Sequence, residues 1–194
     1  MVDVVCLDLT TVNMGFMDTL VDDKPNWLTK IFFNLPKLEI LRLQSNSITG
    51  MINSKVISNL LESSSVTVKG SKQLKSFALR SLSIPGLDIQ TRLIVPFISL
   101  FPNLEELDIS ECRCLAFSVL KETVFVLPFL CYLNISSCSN LVGNVMDLFM
   151  TPMLGLEAGR TDTGSRIQII SIGNPQLDKY FQPPPYMEEC LSKK

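Results

Sequence analysis

A short leucine phrase recurs along this chain and limits what it can fold into more than any other feature. The pattern is L-x-x-L-x-L-x-x-N/C-x-L, and its clearest copy is Leu38-x-x-Leu41-x-Leu43-x-x-Asn46-x-Ile48. Further copies read Leu74-x-x-Phe77-x-Leu79-x-x-Leu82-x-Ile84, Leu104-x-x-Leu107-x-Ile109-x-x-Cys112 and Leu130-x-x-Leu133-x-Ile135-x-x-Cys138. Ile167-x-x-Ile170-x-Ile172 and an opening Val4-x-x-Leu7-x-Leu9-x-x-Val12 are looser copies. Self-similarity of this kind marks units that cannot bury an apolar face alone and must stack to do so. Three copies share the lead-in apolar-Pro-x-Leu, at Leu35-Pro36, Phe101-Pro102 and Leu127-Pro128. Proline between a helix and a strand removes an N–H where it is least missed.

Along a strand, successive side chains point to opposite faces. In Leu41-Arg42-Leu43 the leucines are therefore expected inside and Arg42 outside. Leu41, Leu43, Leu107, Ile109, Leu133 and Ile135 form the expected core. Asn46, Cys112 and Cys138 follow the strands, where an inward polar or thiol group can satisfy buried backbone of the adjoining turns. Leu82 and Pro175 at the same place cannot, so those two turns are expected to be less regular. The copies start 34, 36, 30, 26 and 37 residues apart, which leaves room for a helix in each. Apolar residues at helical spacing predict helices over Asn53 to Glu62, Thr91 to Phe101 (with Pro96 inside) and Leu115 to Leu127.

The expected fold is thus α/β, a solenoid of five to six strand-turn-helix units over residues 1–177, with a curved parallel sheet inside and helices outside. Residues 178–194, with Pro183-Pro184-Pro185, read as an extended tail or linker. Terminal units of a solenoid need polar caps. Their absence here predicts a piece of a larger protein or a partner over the ends.

These phrases resemble the leucine-rich repeat family, over Val4 to Leu177. The long, unequal units are similar to the intracellular types found in F-box repeat proteins and ribonuclease inhibitor. Leu107-Asp108-Ile109-Ser110, Leu133-Asn134-Ile135-Ser136 and Leu154-Gly155-Leu156 with Gly164 to Ile172 also look like the repeats of Zer/Zyg substrate receptors of Cullin-RING ubiquitin ligases. That narrower likeness implies a place in a ubiquitin ligase complex, with Cullin-RING components as partners. In that family a helical armadillo-type domain after the repeats reads the substrate.

Composition removes several other functions. The 194 residues hold no histidine, so there is no Ser-His-Asp triad, Cys-His pair or histidine metal ligand. The six cysteines include no CxxC pair, and neither a structural metal site nor any other cofactor is expected. Lysines and arginines are scattered and the net charge is -2, which argues against nucleic acid. The start lacks a basic n-region, and the apolar run Leu93 to Phe101 is too short to span a bilayer. A protein away from the membrane, cytoplasmic or nuclear, follows by elimination, with reduced thiols. Asn134-Ile135-Ser136 is then a chance sequon.

Glu105, Glu106, Asp108 and Glu111 crowd one strand. Paired carboxylates can do acid–base chemistry, but no nucleophile or oxyanion donor accompanies them, so an acidic binding patch or a solvated face fits better and the chain is not expected to be an enzyme. The outward strand positions are Ile40, Arg42 and Gln44, then Ser76, Ala78 and Arg80, then Glu106, Asp108 and Ser110, then Tyr132, Asn134 and Ser136. From these, Arg42, Gln44, Arg80, Glu106, Asp108, Tyr132, Asn134 and Ser136 form the expected partner-binding strip for a protein or peptide bearing a basic group. The alternative is a structural spacer within a larger protein, whose recognition domain lies elsewhere.

Overall fold

A computed structural model of the chain describes residues 4–8, 26–43, 52–68, 71–74, 76–143 and 168–170. Six strands form one parallel sheet: β1 (Cys6–Asp8), β2 (Ile40–Arg42), β5 (Ser81–Ser83), β6 (Glu106–Asp108), β7 (Tyr132–Asn134) and β8 (Gln168–Ile170). They lie side by side in chain order. Among the described residues, four helices complete the α/β architecture: α1 (Trp27–Asn34), α2 (Ser54–Ser64), α3 (Thr91–Ile98) and α4 (Phe117–Phe125). Each helix packs on the next in the same order. A separate antiparallel ribbon, β3 (Ser65–Val68) with β4 (Ser71–Leu74), sits between α2 and β5.

Each strand is only three residues long, so its hold on the sheet comes from a repeated hydrogen-bond pattern. The carbonyl before each strand accepts from two amides of the next. Glu39 O takes the N–H groups of Arg80 and Ser81, Arg80 O those of Glu105 and Glu106, and Glu105 O those of Cys131 and Tyr132. Beyond the strands the ladder continues through Leu43 N–H to Ser83 O, Ile84 N–H to Asp108 O and Ile109 N–H to Asn134 O. The central residues Leu41, Leu82, Leu107 and Leu133 stand in register and are buried. The six expected core residues are all 1% exposed or less. Replacing one such leucine by alanine costs about 2–5 kcal/mol, by lost transfer energy and a cavity.

The prolines act as read. Leu38, Leu104 and Leu130 each donate their N–H to the carbonyl three residues back, at Leu35, Phe101 and Leu127. These are tight turns with proline in the second place, where its fixed φ is already correct. Helix α2 begins where Asn53 Oδ1 accepts from the N–H of Lys55 and Val56, at 3.0 and 3.2 Å. This cap satisfies donors that no helical carbonyl can reach. Helix α3 does contain Pro96. Helix α1 is not among the expected helices, although Trp27, Leu28, Ile31 and Phe32 stand at helical spacing. It is anchored by Trp27, Leu28 and Phe32, with the Phe32 ring 5.0 Å from that of Phe77 and 5.1 Å from that of Phe101.

The third copy of the phrase is corrected by the register. Leu82, not Phe77 or Leu79, pairs with Leu41 and Leu107. The working phrase is therefore Leu79-x-x-Leu82-x-Ile84-x-x-Leu87, five residues later than expected. Leu74 belongs to the ribbon, and Phe77 is a buried loop anchor whose N–H bonds Leu100 O. Leu82 is consequently a strand residue, and Leu87 takes the turn position. The sixth copy shifts too: Ile169, rather than Ile170, is in register with Leu133. Asn46, Pro175, Cys190, the loop Ala158 to Ser165 and the tail 178–194 lie outside the described residues.

The corrected phase explains the backbone. Gly86, Glu111 and Ser137 occupy equivalent turn positions, and all three have positive φ, at 71°, 60° and 58°. The turn after the strand thus requires the left-handed region whatever residue is present. One place further on, Cys112 and Cys138 are buried thiols, and the Cys138 thiol donates to Ile109 O at 3.2 Å. Hydrogen bonding with Cys138 and burial push the Cys112 thiol far above its ordinary value, which keeps it protonated.

Candidate functional site: the open face of the sheet

One face of the sheet buries the leucines; the other is open. Two rows cross that open face. The first is Ile40, Ser81, Glu106 and Tyr132, and the second is Arg42, Ser83, Asp108 and Asn134. Of the expected strip, Arg42, Glu106, Asp108, Tyr132 and Asn134 come together here. Gln44 lies outside the described residues.

Three expectations change. Ser81 and Ser83 take the strand positions expected for Ser76, Ala78 and Arg80, because of the five-residue shift; Ser83 is half-buried, and Ser81 is buried beside Glu106. Ala78 and Arg80 therefore lie in neither row. Arg80 immediately precedes β5 and is exposed between two carboxylates. Its Nη2 lies 2.6 Å from Glu105 Oε1 and its Nη1 3.9 Å from Glu39 Oε2. The Glu105 hydrogen bond and charge hold the guanidinium above its ordinary pKa. Ser110 is nearly buried rather than outward-facing.

The polar residues of the second row are partly occupied by structure. Asp108 Oδ1 accepts from both the N–H and the hydroxyl of Ser110, at 3.0 and 2.8 Å. Asn134 Oδ1 does the same for Ser136, at 3.1 and 2.8 Å. A short polar side chain bonding backbone two residues on is an Asx turn. This accounts for the phrases Leu-Asp-Ile-Ser and Leu-Asn-Ile-Ser: the turn chemistry itself calls for them. Ser136 is thereby a turn residue at the edge of the strip.

Serines also brace the carboxylates. The hydroxyls of Ser81 and Ser83 donate to Glu106 Oε2 at 2.7 Å and Asp108 Oδ2 at 3.2 Å. These bonds fix the direction of both acids without neutralising them. At the sheet's other end, Arg42 lies 3.8 Å from Asp8. Among the described residues no cation pairs with Glu106 or Asp108. Arg42, in the same row, and Arg80, just before β5, both have acidic neighbours.

Sequence reasoning missed the neighbours of this strip. Glu39 and Glu105 clamp Arg80, and Phe129 is 57% exposed. A depression of about 270 Å³ lies between Ala78, Arg80, Asn103, Glu105 and Phe129. The signal that could have found the right phase is spacing. Leu79, Leu104 and Leu130 lie 25 and 26 residues apart, and Gly86 marks the turn.

Among the described residues no group of acids and cysteines is arranged to hold a metal ion, and no helix is long and apolar enough to cross a membrane. No protein-family model matches the chain, and a search of curated proteins finds no significant relative.

Proposed function

We propose that the chain is a leucine-rich repeat solenoid serving as a protein–protein recognition scaffold, not an enzyme, in the cytoplasm or nucleus. The open, concave face takes a segment of a partner protein that carries a basic group. The observation that carries this reading is the serine-braced pair Glu106 and Asp108, unpaired by any described cation, beside Tyr132. A guanidinium or ammonium entering here meets two oriented carboxylates, with an aromatic side chain next to them. Charge complementarity of this kind selects partners and speeds their encounter, and tyrosine is a frequent interface anchor. Sequential strands, sequential helices and the recurrent left-handed turn support the solenoid reading.

The test must spare the turn. Asp108→Lys would remove the charge and the Ser110 bonds together. Asp108→Asn keeps the acceptor, as Asn134 does at the equivalent place. The double variant Glu106→Lys with Asp108→Asn should therefore keep a nearly unchanged Tm. Peptides selected by display on the folded protein should include lysine- or arginine-bearing clones that the double variant no longer binds. Undiminished binding of such clones would rule out this face.

A further inference from the structure

The depression of about 270 Å³ between Ala78, Arg80, Asn103, Glu105 and Phe129 lies just before the strands begin. Sites for small molecules run from about 300 Å³ upward, so this one is sized for a single large side chain. Its walls say which kind. Phe129 presents an apolar ring that is 57% exposed. Arg80 presents a guanidinium whose Nε and Nη2 both donate to Glu105 Oε1, at 3.0 and 2.6 Å. Bonds made in the plane of a guanidinium fix its direction and leave its flat faces to stack on a ring. Ala78 is small and exposed, so the space beside these groups stays open, and the exposed Asn103 amide offers a donor and an acceptor. An aliphatic side chain would use the Phe129 ring alone, whereas an aromatic one uses both walls.

The depression adjoins the acidic face. Glu105 immediately precedes Glu106, Arg80 immediately precedes the Ser81 that bonds Glu106, and Phe129 stands three residues before Tyr132. At about 3.3 Å per residue, an extended segment passes from the depression to Glu106 within about two to four residues. The charges agree with such a path. Arg80 lies between Glu39 and Glu105, so the depression sets no unmatched positive charge against a basic segment.

We propose that the depression takes an aromatic side chain of the same partner segment whose basic group meets Glu106 and Asp108. This rests on the open-face reading and sharpens it. The partner is then a segment in which Phe, Tyr or Trp lies about two to four residues from Lys or Arg.

Peptides displayed and selected on the full chain test this. Clones that lose binding in Glu106→Lys with Asp108→Asn should be enriched in an aromatic residue at that spacing. Replacing that residue by alanine in the peptide should weaken binding about tenfold, and Phe129→Ala in the protein should do the same, since either removes an aromatic pair. Ala78→Leu, which fills the depression from an exposed position, should weaken these clones equally with an unchanged Tm. Arg80→Lys keeps the charge and loses the plane, and should lie between those variants and the wild type. The proposal is overturned if the acid-dependent clones carry no aromatic residue there, or if they bind Phe129→Ala and Ala78→Leu undiminished; the open-face reading then still stands. If no clone depends on Glu106 and Asp108, that reading falls and takes the aromatic anchor with it.

Discussion

Two stretches of the sheet solve the same problem with different residues. From Phe101 to Cys138 every device is present twice: a proline turn into the strand, an Asx turn out of it, a left-handed residue, then a buried thiol. From Ser65 to Ile89 hardly any of these is present. An inserted ribbon replaces the proline turn, Ser83 stands where Asp108 and Asn134 make their turns, and Leu87 stands where the thiols stand. The third strand nevertheless enters the sheet in register with both neighbours. Apolar alternation and backbone bonds to the flanking strands are thus enough to seat a strand. The accessory turn chemistry makes a unit recognisable, and the sheet does not depend on it.

That comparison can be broken first at the core. Leu82→Ala and Leu107→Ala should cost similar amounts, each about 2–5 kcal/mol, in urea unfolding. If Leu82→Ala cost only a few tenths, the third strand would not be an equal member of the sheet.

The turns offer a finer contrast. Gly86 reaches a positive φ without strain, whereas Glu111 does so against its Cβ. Gly86→Ala should cost about 1–2 kcal/mol. Glu111→Gly should change stability by less than about 1 kcal/mol, because relief of strain is offset by a more flexible unfolded chain. Thermal unfolding of the two variants side by side checks this. Equal and opposite large effects would mean the two turns are not equivalent.

The smallest effect is expected at Arg80, the residue that ties the irregular third strand to both sides. Its links to Glu39 and Glu105 are exposed, and solvent screens exposed ion pairs so that they add little to stability. Arg80→Ala should therefore leave Tm almost unchanged, and any small drop should shrink in high salt. A large drop in Tm, unchanged by salt, would show that the triad is more than a surface feature.

The leucine phrase alone determined the alternation of strand and helix, the six core positions, and the outward placing of Ile40, Arg42, Glu106, Asp108, Tyr132 and Asn134. It could do so because burial needs only an apolar residue at the right period, and period is written in the chain. The tertiary structure decided the phase of the third unit. Leu74, Phe77 and Leu79 satisfy the same spacing as Leu79, Leu82 and Ile84, and only pairing with Leu41 and Leu107 chooses between them. It also decided the character of the site. Sequence shows four acids close together, but not that Ser81 and Ser83 from the neighbouring strand aim two of them, or that Glu105 is taken up by Arg80. Those partners lie 25 residues away along the chain, at a separation that no local pattern encodes and that parallel stacking reduces to a hydrogen bond.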